Sequence, residues 1–115
     1  MRKIGNQEKI AQEYLRKHAY QILHVNFIAP RIEIDIIAQK DKKTCFVEVK
    51  YRTSERFSGE HAITPQKLSK IEKTIQQYCH QYEIDHETIQ FDIIIITKKI
   101  NSYEIKHYKN QALYI

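Results

Sequence analysis

Two stretches near the middle of the chain alternate between apolar and polar residues: Arg31-Ile32-Glu33-Ile34-Asp35-Ile36-Ile37-Ala38 and Phe46-Val47-Glu48-Val49-Lys50. A period of two marks half-buried strands, because successive side chains point to opposite faces of a sheet. On the first strand Ile32, Ile34 and Ile36 share one face, and Glu33, Asp35 and Ile37 the other. On the second, Cys45, Val47 and Val49 share one face, and Phe46, Glu48, Lys50 and Arg52 the other. Residues 91–97 are apolar on both faces, the mark of a central strand. Between them Leu68, Ile71, Ile75, Tyr78, Cys79 and Tyr82 recur at spacings of three and four, an amphipathic helix. Thr64-Pro65 opens it, as an N-cap followed by proline at the first helical position.

The remaining segments complete the order. Residues 6 to about 17 predict a helix with Asn6 as N-cap, and 21–27 a strand. Residues 31–39 and 44–52 form a hairpin, 53–63 a polar loop around Gly59, and 102–107 an edge strand. A strand–helix–strand passage from 44 to 97 predicts a right-handed crossover joining parallel strands. The expected fold is α/β of order αβββαββ, a mixed central sheet with helices on its faces, in a single domain over residues 1–115.

The hairpin carries a register argument. A two- or four-residue loop around Lys40-Asp41-Lys42-Lys43 sets Ile36 opposite Val47 and Ile34 opposite Val49, so the apolar sides agree. On the other side the same register sets Asp35 opposite Glu48 and Glu33 opposite Lys50. Directly opposed side chains are about 5 Å apart at Cβ, where like charges destabilise the pair. A divalent cation between the two carboxylates removes that cost. The register alone therefore suggests a metal site. Glu8 adds a second anomaly, since it shares the sheet-facing side of the first helix with Ala11 and Leu15. It is either a first-turn acid favoured by the helix dipole or a third member of the site.

Composition narrows the picture. The 115 residues are 42% hydrophobic and 29% charged, as in a folded protein with one core. Asn6-Gln7-Glu8-Lys9 stands where a signal peptide would need an apolar stretch, so none is expected, and the longest aliphatic run, Ile93 to Ile96, is too short for a membrane span. A cytoplasmic protein without membrane attachment is expected. Cys45 and Cys79 both fall on apolar faces and read as small core residues of a reducing compartment. A formal charge of +5 favours an anionic partner, most commonly nucleic acid. The six histidines include no pair at zinc-finger spacing, and no glycine-rich phosphate loop appears, which argues against a nucleotide cofactor. Tyr14, Tyr78 and Tyr82 lie at helical core positions and read as packing rather than base-stacking groups.

Taken in order, Gly5-x-x-Glu8-x-x-Ala11-x-x-Tyr14-Leu15, Glu33-Ile34-Asp35-Ile36-Ile37-Ala38 and Phe46-Val47-Glu48-Val49-Lys50-x-Arg52 resemble the YraN-like family of small bacterial proteins. The similarity continues through Thr64-Pro65-x-Lys67, Phe91-Asp92-Ile93 and a short C-terminal strand ending near Asn110. That family is placed in the PD-(D/E)xK, restriction-endonuclease-like superfamily, near archaeal Holliday-junction resolvases. The chain departs from it at Ile32, where glycine is usual, and at Ile34, where the superfamily has a nominal proline. Neither change removes a carboxylate.

The resemblance implies divalent-metal-dependent hydrolysis of DNA phosphodiester bonds, with branched DNA as one expected substrate. Asp35 and Glu48 would hold Mg²⁺ or Mn²⁺, and Glu8 would complete the carboxylate set. Lys50 would orient the attacking water or stabilise the transition state. Glu33 either positions Lys50 or is a surface acid. Arg52, Gln66 and Lys67 are either phosphate contacts or solvated surface groups. A homodimer would suit an enzyme that cuts two strands. The alternative is a catalytically silent or partner-dependent module that keeps the nuclease fold and holds nucleic acid. Metal should strengthen DNA binding by the enzyme and leave a simple basic binder indifferent or weaker.

Overall fold

A two-residue turn sets the register of the sheet. Asp41 and Lys42 have φ of 51° and 66°, both left-handed, and Lys40 pairs with Lys43 across them. Left-handed backbone at both central positions gives the type I′ geometry, whose twist matches that of the flanking strands. The computed structural model describes residues 6–53 and 63–115. Gly5 and most of the predicted polar loop, including Gly59, lie outside the described residues.

The elements follow the expected order: α1 (Asn6–Lys17), β1 (Gln21–Phe27), β2 (Ile34–Lys40), β3 (Lys43–Arg52), α2 (Pro65–Tyr82), β4 (Ile89–Lys98) and β5 (Tyr103–Tyr108). A single 3-10 turn at His86–Thr88, which the apolar pattern does not signal, leads into β4. The five strands lie in one sheet in sequence order. Only β3 and β4 are parallel, in continuous register from Thr44↔Ile89 to Arg52↔Thr97, and the other neighbours are antiparallel. This is the restriction-endonuclease-like arrangement, a mixed sheet with one helix on each face.

Each face has its own core. Ala11 and Leu15 of α1 pack on Ile36, Ala38, Cys45, Val47, Ile94 and Ile96. On the other side Ile71, Ile75, Tyr78 and Cys79 of α2 pack on Ile37, Phe46, Phe91, Ile93 and Ile95. Full burial of each large aliphatic or aromatic side chain is worth about 1.5–3 kcal/mol, so these two layers hold the sheet between the helices. Both cysteines are buried and free, and burial pushes the Cys45 thiol up to about 12. Tyr78 is buried edge-on to Phe27 and Phe46, while Tyr82 stacks on it at 4.4 Å and remains 45% exposed.

One alternation does not hold. Ile34 and Ile36 were expected on the same face, but Ile34 joins the α2-side core and Ile36 the α1-side core. Pairing between β2 and β3 ends at Ile36↔Val47, whereas β2 stays paired to β1 as far as Phe27↔Ile34. The two strands therefore part at Asp35. Residues 31–33 fall outside the strand for the same reason. Among the described residues no helix is long and apolar enough to cross a membrane.

Candidate functional site

The parting of β2 from β3 creates the candidate site. Past Ile36 no backbone carbonyl of β2 meets the Val49 N–H; the Asp35 carboxylate accepts its hydrogen bond instead, at 2.8 Å. The side chain of Asp35 thus replaces a rung of the ladder and is fixed by it. Glu48 precedes Val49 on β3, and its carboxyl group is in hydrogen-bonding contact with that of Asp35. The backbone pairing of Asp35 with Glu48 expected from register is absent, yet the two carboxylates meet.

Both acids are buried, Asp35 at 3% and Glu48 at 7% exposure. Burial raises the pKa of Glu48, and the charge of Asp35 and its hydrogen bond raise it further. Lys67 opposes that shift, since its Nζ donates to Glu48 Oε2 in an ion pair. The start of α2 holds Lys67 in place: Thr64 caps the helix and its Oγ1 accepts from the Lys67 N–H at 3.2 Å, with Pro65 at the first helical position. An apolar stripe fixes the helix and a cap fixes its first turn. Together they bring a lysine from a distant part of the chain onto a strand carboxylate.

The other predicted residues are distributed around this pair. Lys50 lies two residues beyond Glu48, on the same face of β3, and is half-buried. Arg52 ends that strand, and Gln66 is exposed beside Lys67 in the first turn of α2. Glu33 is half-buried just before β2 begins. Glu8 is 1% exposed on the face covered by α1. Tyr20, just past α1, lies with Cys45 near the hairpin, so the first turn of α1 points toward the Glu48 end of β3. Glu8 is thus placed toward the same end of the sheet as Glu48. Among the described residues no three His, Cys, Asp or Glu side chains form a group able to hold a metal ion. The acids brought together are two, Asp35 and Glu48.

The residues present fit a hard cation. Two touching buried carboxylates form an all-oxygen donor set, the kind that Mg²⁺ and Mn²⁺ take. On the adjoining strand Asn26, opposite Asp35 in the register between Val25↔Ile36 and Phe27↔Ile34, has a buried Oδ1 with no hydrogen bond. Its φ of 52° marks a local distortion of β1 at this level. Nothing in the residue pattern singled out Asn26.

Sequence reasoning also missed a second buried cluster on the α1 face. Asp92 of β4 is fully buried; it accepts hydrogen bonds from Gln90 Nε2 at 3.0 Å and the Asn110 N–H at 2.9 Å, and pairs with His107 Nε2 at 2.7 Å. His107 Nδ1 lies 3.0 Å from the Tyr14 hydroxyl. Burial pushes the Asp92 carboxyl upward, but the His107, Asn110 and Gln90 hydrogen bonds and the His107 charge outweigh it and hold it below the usual range. The network ties α1, β4, β5 and the tail together. An aspartate inside the apolar run Phe91-Asp92-Ile93-Ile94 was the available signal.

Fold and site together define a restriction-endonuclease-like domain with a buried carboxylate pair at the point where two strands separate. The chain belongs to the uncharacterised protein family UPF0102, whose model matches residues 7–96. It is 36% identical over 104 residues to a UPF0102 protein of Flavobacterium psychrophilum, covering 90% of this chain and 87% of the relative. A UPF0102 protein of Syntrophomonas wolfei is 38% identical over 104 residues, 90% of each chain. One from Sulfurihydrogenibium is 40% identical over 90 residues, 77% of this chain and 78% of the relative.

Proposed function

We propose that this protein is a divalent-metal-dependent DNA endonuclease that hydrolyses phosphodiester bonds in the cytoplasm. The observation that supports this reading best is the contact between Asp35 and Glu48, buried where β2 and β3 part. Two like charges at such a position lower stability unless they have work to do, and here the Val49 N–H also fixes the orientation of one of them. Asp35 and Glu48 would hold the cation, with Glu8 approaching the same end of the sheet. When bound, Mg²⁺ or Mn²⁺ would supply an activated water and offset charge on the scissile phosphate. Lys50 orients that water and donates to a phosphoryl oxygen. Lys67 compensates Glu48 and keeps the site ordered before substrate arrives. Glu33 positions Lys50, and Arg52 contacts backbone phosphate. Selectivity comes from DNA shape, branched DNA being the preferred form, and two copies of the chain would serve to cut two strands.

A second reading has one observation in its favour. The Lys67–Glu48 ion pair already compensates one carboxylate without metal, as a site that only holds nucleic acid would require. Cleavage separates the two. Single-stranded, duplex, flapped and four-way-junction DNA, and RNA, are incubated with Mg²⁺, Mn²⁺ or EDTA. The enzyme reading expects metal-dependent cleavage that falls at least about 10³-fold in Asp35→Asn and in Glu48→Gln. No cleavage of any substrate, with DNA binding indifferent to metal, would leave the binding module.

A further inference from the structure

We infer that the outer stripe of α2, together with the segment before β2, forms a cationic track that seats one strand of DNA beside the carboxylate pair. This rests on the DNA-processing reading above and extends it from Gln66 to residues not yet given a role. Gln66, Ser69, Lys70 and Lys73 are spaced i, i+3, i+4 and i+7, so at 100° per residue they fall within about 100° of one another on one helix face. All four are exposed, and the opposite face carries the buried Ile71, Ile75 and Tyr78. With Pro30 and Arg31 they line an open cavity of about 680 Å³.

Charge makes this groove more than a solvated helix face. Arg31, Lys70 and Lys73 contribute three positive charges to the lining, and among the described residues the lining holds no carboxylate. Among the described residues none of the three forms an ion pair. Glu72, the acid nearest in sequence, is turned to another side of the helix, where it accepts from the Tyr114 N–H. Three uncompensated cations along a concave surface suit a polyanion of regular spacing.

The groove also leads to the site. Gln66 lines it, and the next residue, Lys67, turns about 100° away to pair with Glu48. A rise of 1.5 Å per residue makes the track from Gln66 to Lys73 about 10 Å long. Along a duplex each strand carries one phosphate per 3.4 Å of axis, so the track spans about three phosphates. A strand seated on Lys73, Lys70 and Arg31 continues across the start of α2 toward Glu48 and Asp35.

A second cationic cavity gives the control. Lys40, Lys43 and Lys109 gather around Tyr20 and Cys45 at the hairpin end of the sheet, five residues from Glu48 along β3. The variants Lys70→Gln/Lys73→Gln and Lys43→Gln/Lys109→Gln lose the same net charge from different places. Dissociation constants for a labelled DNA duplex and four-way junction are measured in EDTA over a salt series, with circular dichroism confirming the fold of each variant. The track predicts that the Lys70/Lys73 variant loses about tenfold in affinity and that its slope of log K against log salt falls by about 0.9 for each lysine removed. The Lys43/Lys109 variant keeps the slope of the wild type. Equal losses in both variants, no loss in the first, or no DNA binding by the wild type would overturn the track. The nuclease reading is judged separately, by metal-dependent cleavage in the wild type and Glu48→Gln.

Discussion

At the scale of single residues, two carboxylates define opposite electrostatic strategies. Glu48 and Asp35 are buried against each other, which raises the proton affinity of Glu48. Asp92 is buried more completely, but three hydrogen bonds, one of them from His107, satisfy it and lower its pKa. One acid is left poised, the other made structural. Because the folded-state pKa of Asp92 is depressed, its contribution is fully present above the unfolded carboxylate value near 4 and is lost as pH falls through the folded value. Asp92→Asn should therefore cost about 2–4 kcal/mol at neutral pH and weaken the loss of stability below about pH 4. Urea unfolding of both proteins between pH 3 and 7 measures this. Equal stability at pH 7 would show that the network carries little weight.

At the scale of elements, the hairpin and the helix caps were legible because their chemistry is local. Register followed from turn length and alternation, and Lys40↔Lys43 through Ile36↔Val47 match it. The end of that ladder was not legible. Strand separation at Asp35 depends on β1 continuing to hold β2 and on a side chain replacing a backbone acceptor, which a two-strand pattern does not record. For the same reason Ile34 was read onto the wrong face. The ion pair between Lys67 and Glu48 was hidden differently, since it joins residues 19 positions apart through the packing of α2. Type I′ turns favour Asn-Gly, and left-handed backbone costs a residue with a side chain about 1 kcal/mol. Asp41→Asn/Lys42→Gly is expected to raise stability by about 1 kcal/mol, read as a higher midpoint in thermal unfolding. An unchanged or lower midpoint would mean that the turn is not strained.

At the scale of the molecule, charge and topology act together. The net charge of +5 is an average over a surface on which the outer stripe of α2 and the hairpin end are two of the places where lysines lie together. Composition gave the sign of the surface charge but not where it concentrates, because that depends on which helix face is left over after packing. The carboxylate pair, by contrast, was visible in advance: Asp35 and Glu48 lie on strands whose order follows the sequence, so short-range pattern was enough. Glu8 was visible as an acid on an apolar stripe, and it is buried with that stripe.

The most direct test of the paired-carboxylate account is calorimetric titration of Mn²⁺ into the metal-free protein, with Asp35→Asn and Glu48→Gln beside the wild type. The account predicts saturable binding by the wild type, weakened at least about tenfold by either substitution, since each removes a charged oxygen ligand from a small donor set. Binding that persists unchanged in both variants, or its absence from a folded wild type, would contradict a metal centre at this pair.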